Sequence, residues 1–211
     1  VYRAAQFAAR FGFDIADKTK ELAASMDLSS LPPERVNGEF KKLFLKSDTP
    51  SIGIQALDDM NVLGRYYPEI AALKHTSQRD DYHAEGNVYI HTKMVIDRAA
   101  EVIKRFPDVK DKTIIMFAAL AHDFGKPATT KISDQGVPVQ PGHEQAGVEP
   151  TQEFLDKLTN ESDIVDNVLF IVENHLLPLE YHRSGAGDSA FRRAINKFGL
   201  KKLELLAAVS E

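Results

Sequence analysis

The sequence predicts an all-α fold, a helical bundle with one small β-hairpin. Apolar residues recur three and four positions apart along nearly the whole chain. The stretches between these periodic segments are short and rich in Gly, Pro, Asp and Ser. Only residues 129–140 carry strand-like runs around a turn signal.

Residues 1–11, 16–26, 33–46 and 51–63 read as four short helices. Ser30 and Pro32-Pro33 open the third, and Pro50-Ser51 opens the fourth, because proline is tolerated in a first helical turn where its missing N–H has no partner to lose. Pro68 reads as the close of this set. A second set occupies 90–106, 112–123, 143–158, 161–175, 188–198 and 201–208. Pro150 either kinks the third helix of that set or marks its true start. Thr129-Thr130-Lys131-Ile132 and Val137-Pro138-Val139-Gln140 flank Asp134-Gln135-Gly136, a turn suited to a hairpin, and Pro138 confines its strand to an edge.

Charge divides the chain near residue 74. Residues 1–74 carry ten basic and ten acidic side chains, whereas 75–211 carry 16 and 21 and hold all seven histidines. Residues 74–87, polar and weakly periodic, read as the connector. The expected organisation is one helical region over 1–74 and a second, histidine-bearing helical domain over 75–211.

The 211 residues have a net charge of -5, so no overall positive field points to nucleic acid, although a local basic face remains open. The absence of cysteine excludes a disulfide scaffold, thiolate zinc, iron–sulfur clusters and a cysteine nucleophile. The longest apolar run without charge, 113–122, is about half of the ~20 residues a bilayer span needs. Residues 1–12 lack a signal-peptide core, so a cytoplasmic address without membrane contact is expected. The chain starts at Val1 in helix-like sequence, which reads as the continuation of a longer protein.

His122-Asp123 ends a helix uncharged on every face from Thr113 onward, which predicts burial all round. Two ionisable groups there cost several kcal/mol to desolvate unless they meet a cation or each other. His91 stands in register with Met94, Val95, Ala99 and Val102, an apolar stripe that points its imidazole into the core. His175 ends a similar stripe of Ile164, Val168 and Ile171, and His143 shares a face with Gly147 and Phe154. A lone histidine on an apolar face is ordinarily a hydrogen-bonded core residue. Four of them, with an aspartate beside one, point instead to a divalent metal held by His91, His122, Asp123, His143 and His175. His75, His83 and His182 lie in polar stretches and read as surface, with His83 near enough to His91 to support it.

These residues carry a family resemblance. His83-Ala84-Glu85-Gly86 through His91-Thr92, Ala119-Leu120-Ala121-His122-Asp123-Phe124-Gly125-Lys126-Pro127 and Gly142-His143-Glu144-Gln145-Ala146-Gly147 resemble the HD domain of the bacterial tRNA nucleotidyltransferase and poly(A) polymerase family, part of the HD superfamily of metal-dependent phosphohydrolases. Tyr2-Arg3-Ala4-Ala5-Gln6-Phe7 through Phe13, with Leu31-Pro32-Pro33-Glu34-Arg35-Val36, is similar to the RNA-binding neck of that family.

The resemblance implies one or two divalent ions (Mn, Fe, Co, Ni, Zn or Mg) and hydrolysis of phosphate mono- or diesters, with a nucleotide or an RNA end, tRNA included, as substrate or partner. Asp123 and Lys126 are then the catalytic pair, Asp123 bridging ions and Lys126 contacting a phosphate oxygen, against the plainer reading of Lys126 as a surface lysine in a loop. Arg3, Arg10 and Arg35, with Lys18, Lys20, Lys41 and Lys42, become RNA contacts, against the plainer reading of a mixed solvated surface. Arg183, Arg192 and Arg193 read as surface residues. Two departures matter. No Asp-x-Asp pair is present, so nucleotide addition would need a polymerase head beyond this chain. The late-helix Asp of the HD pattern is also missing where expected, in Leu205-Leu206-Ala207-Ala208-Val209-Ser210-Glu211, so that either it is replaced, with Ser210 or Glu211 nearby, or the chain stops short of it. That favours the alternative of a non-catalytic RNA-binding body with a degenerate site.

Overall fold

A computed structural model describes residues 1–78 and 86–210. The first helices are α1 (Tyr2–Phe11), α2 (Asp17–Ser25), α3 (Pro33–Leu45) and α4 (Pro50–Asp59), close to expectation. The fourth helix stops earlier than expected because Asn61 takes a left-handed conformation, φ 55°, and α5 (Val62–Tyr66) starts anew. Pro68 does not close the set. It is the first residue of α6 (Pro68–Ala72), where a proline lacks nothing by having no N–H.

Beyond the connector run α7 (Val88–Val102), α8 (Val109–Ala121), α9 (Lys126–Thr129), α10 (His143–Ala146), α11 (Val148–Asp156) and α12 (Ser162–Asn174). Then follow α13 (Leu177–Ser184), α14 (Asp188–Phe198) and α15 (Leu200–Val209). Asn87 caps α7 by accepting from the Ile90 N–H at 3.0 Å, and Asp108 caps α8 through the Lys110 and Asp111 N–H groups. The helix expected over 143–158 breaks at Gly147, and Pro150 sits in the first turn of α11, so it marks a start and not a kink. The sequence reading missed α13. The hairpin forms as expected, β1 (Lys131–Ile132) antiparallel to β2 (Pro138–Val139), its turn closed through Gly136 at φ 74°. His83 lies outside the described residues.

The apolar run of α8 is buried from Thr113 to Ala121, and the helix packs against α3, α7, α12 and α15. An aromatic seam joins the N-terminal helices to it. Phe154 meets Phe40 at 6.2 Å, Tyr67 at 5.8 Å and Phe117 at 6.0 Å, all near edge-to-face, and Phe44 meets Phe117 at 5.9 Å. Both halves of the chain therefore contribute to one core. Among the described residues no helix is long and apolar enough to cross a membrane.

Candidate metal centre

Because α8 is buried on every side, its C-terminal end delivers His122 and Asp123 into the interior, with Asp123 1% exposed. The chain then turns through Phe124 and Gly125, held by Phe124 N–H to Ala121 O and Lys126 N–H to Asp123 O, both 3.0 Å. Gly125 is required by proximity. A Cβ there would lie 2.0 Å from the carbonyl oxygen of His143 and 2.5 Å from the nitrogen of Gly147, so only glycine lets this turn touch the chain at α10. That contact brings His143 to Asp123, the two joining groups being 3.5 Å apart. α12 ends at His175, above buried Ile164, Val168 and Ile171, and His91 projects from the first turn of α7.

The five expected ligands converge. His91, His122 and Asp123 form one group whose donor atoms lie within 4.8 Å of one another, and Asp123, His143 and His175 form a second. Asp123 belongs to both. Three imidazoles are oriented alike: Nδ1 of His122, His143 and His175 donates to the carbonyls of Ala119, Gln140 and Val172 at 2.8–2.9 Å. A carbonyl only accepts, so Nδ1 carries a proton in each ring and Nε2 is the atom aimed inward, the one a metal ion would take. The Nε2 atoms of His143 and His175 stand 3.1 Å apart, and Nε2 of His122 stands 3.1 Å from Asp123 Oδ2. Lone pairs facing each other at that range repel unless a proton or a metal ion lies between them.

The electrostatics agree. Burial lowers the His175 pKa to about 4, with neighbouring His122 acting in the same direction, so this ring is neutral and ligand-competent at pH 7. Burial by itself would raise the Asp123 carboxyl, yet His122, Lys126 and His175 around it hold it well below the ordinary carboxylate value. Asp123 Oδ2 is buried and receives no aligned hydrogen bond, although Lys126 Nζ lies 2.8 Å away. An ionised, under-coordinated carboxylate among imidazole lone pairs is a donor set that suits a divalent transition ion.

Other expected residues land differently. Lys126 is not an exposed loop lysine: it is 6% exposed, paired with Asp123, and donates to Gln78 at 3.3 Å. It still lines the mouth of the centre, a cavity of about 490 Å³ shared with Gln140, Leu179 and Arg183. Arg183 therefore reaches the mouth, whereas Arg192 and Arg193 are exposed on α14 outside it. The stripe below His91 is core in part: Ala99 and Val102 are buried and Val95 packs against the core, but Met94 is 55% exposed, and all four line an open groove of about 780 Å³ between α7 and α13. His182 lines that groove, and His75 is exposed. Sequence reasoning missed Gln78 and Gln140, for which no periodic signal exists. Gly125 could have been found as the small residue between two ligand-bearing turns.

The residues expected to meet RNA lie elsewhere. Arg3 stacks on Phe7 at 5.3 Å and Arg10 on Phe11 at 5.1 Å along α1, and Arg35 is exposed on α3. Lys18 is exposed, while Lys20, Lys41 and Lys42 pair with Asp59, Glu161 and Glu39.

Comparison with known proteins adds two matched families: the HD domain over residues 88–205 and the probable RNA and SrmB-binding site of polymerase A over 12–74. Similar relatives include the multifunctional CCA protein of Actinobacillus pleuropneumoniae serotype 5b, 35% identical over 83% of this chain and 43% of its own length. That of Stenotrophomonas maltophilia is 38% identical over 75% of this chain and 38% of its own, and that of Xylella fastidiosa 36% over 83% and 42%. The chain spans less than half the length of the curated relatives it matches.

Proposed function

The chain belongs to the HD-domain family, and from that membership we propose that it hydrolyses phosphate mono- or diesters with divalent metal held by His91, His122, Asp123, His143 and His175. One observation carries the reading: two His/Asp groups that share a single buried, ionised carboxylate. Divalent metal held by these residues would supply a Lewis acid for the phosphoryl group and acidify a water for the attack. The chain's own residues do the rest. Backbone carbonyls fix three imidazoles with Nε2 inward, and the buried setting strengthens every charge in the site. Lys126 offsets the charge of Asp123 and, with Arg183 across the mouth, offers the phosphate its cationic contacts.

The partner in this reading is a nucleotide or an RNA end, tRNA among them, supported by the polymerase-type RNA-binding match and by the names of the relatives. Arg3, Arg10 and Arg35 supply backbone contacts on the first helices. The test is elemental analysis beside hydrolysis of a small phosphodiester, read as release of its alcohol, and of a phosphomonoester, read as release of phosphate. The expected result is one to two ions and turnover in the parent, and neither in His122→Ala/Asp123→Ala. A parent that binds no metal after reconstitution overturns the reading.

A second reading has an observation of its own. Where the HD pattern leads one to expect a late-helix aspartate, Ser210 donates its hydroxyl to the carbonyls of His175 and Leu206 and offers no charge to a cation. Metal that binds without turnover, with salt-sensitive tRNA affinity, would favour an RNA-binding body with a structural ion.

A further inference from the structure

The stripe of α7 that resembles core sequence and yet faces a groove sets a question: what belongs against it. The groove is continuous with the metal centre, since His91, His122, His175, Leu176 and Leu179 line both the groove and the mouth. The two openings differ in character. The mouth gathers Lys126, Gln140 and Arg183, whereas beyond the histidines that line it the groove is walled by Met94, Val95, Val102, Pro178, Leu179 and Val209, with no carboxylate among its lining residues. Along α7 it runs from His91 to Val102, eleven residues and about 16 Å at 1.5 Å per residue. Its far wall is α13, where Leu177 packs against the core while Leu179 is 42% exposed.

Resting on the hydrolase reading above, we propose that the substrate lies across the centre in one direction: phosphate toward Lys126 and Arg183, and the esterified organic group along the aliphatic groove between α7 and α13. The ligand class is a phosphoester whose organic group is apolar on at least one face and is recognised by shape and burial. Exposed Arg98 on the same strip of α7 favours organic groups that carry a second anion beyond the first.

Equilibrium binding of an n-alkyl phosphate series, methyl to octyl, to the Mn-loaded protein reads this directly. Each methylene that enters the groove is expected to tighten binding about two- to fourfold. Met94→Asp and Leu179→Asp, at exposed positions on opposite walls, are expected to flatten that slope. A flat series in the parent, or a slope that survives both substitutions, overturns the proposal. Phosphate release is scored separately in the same samples. Its absence from every ester removes the hydrolase reading, while the slope alone decides the groove.

Discussion

Gly125→Ala is the sharpest test of how the centre is assembled. Gly125 has φ −82°, so an alanine meets no backbone strain, and any effect comes from contact alone. The added carbon would lie 2.0 Å from His143 O, 2.5 Å from Gly147 N and 2.9 Å from Ala146 C, where ordinary contact begins at 3.4 Å. All three neighbours are backbone, so the turn after Asp123 and the α10 segment must part by roughly an ångström or more. Overpacking of this kind costs about 3 kcal/mol at the upper end of its usual range. For a chain of this length that is a fall in Tm of about 6–12 °C. The same parting draws Asp123 from His143, so bound metal per chain is expected to fall as well. Gly38→Ala is the control: it lies inside α3 with nothing within 4 Å of the new carbon, and alanine should stabilise the helix by about 1 kcal/mol. Thermal unfolding and elemental analysis of the three proteins decide it. A Gly125→Ala protein that melts within about 2 °C of the parent and holds the same metal would refute the close-approach argument.

Phe154→Ala, at the crossing of the aromatic seam, is expected to lower stability by about 3–5 kcal/mol, read from the urea midpoint at unchanged slope. Chelation should lower the Tm of the parent by about 5–11 °C if metal stood at a hundred times its Kd, and should leave Asp123→Asn unmoved. Burial raises the Glu69 carboxyl, more than Lys157 at 3.0 Å lowers it. The native state therefore binds this proton more tightly than the unfolded chain, so its contribution is complete below the unfolded pKa and is lost as pH rises through the folded one. Glu69→Gln should accordingly reduce the fall in Tm with rising pH across that acid window, and an unchanged slope would sink the assignment.

The parts of the molecule legible in the sequence are those where one physical demand dominates. An uncharged run such as Thr113–Ala121 has nowhere to go but the middle of a bundle, and histidines at the ends of apolar stripes follow those stripes inward. What stayed hidden depends on partners distant in sequence. Periodicity shows that α7 has an apolar face, but not that Met94 on that face is left 55% exposed. α13 itself buries no residue, so it left no stripe to find. Lys126 looks like a loop lysine until the fold of the turn sets it on Asp123, and the weight of Gly125 appears only when α10 arrives beside it.

The aromatic seam has a consequence for how this protein can be divided or recombined. Two family matches meet end to end along the chain, as though either half could be exchanged. Yet Phe40, Phe44 and Tyr67 from the first stand against Phe117 and Phe154 from the second. A graft that keeps one half must carry rings of matching size and tilt in the other, or the helix that delivers His122 and Asp123 loses the wall it leans on. The RNA-binding-type helices are thus also scaffolding for the metal site, and their sequence is answerable to both duties at once.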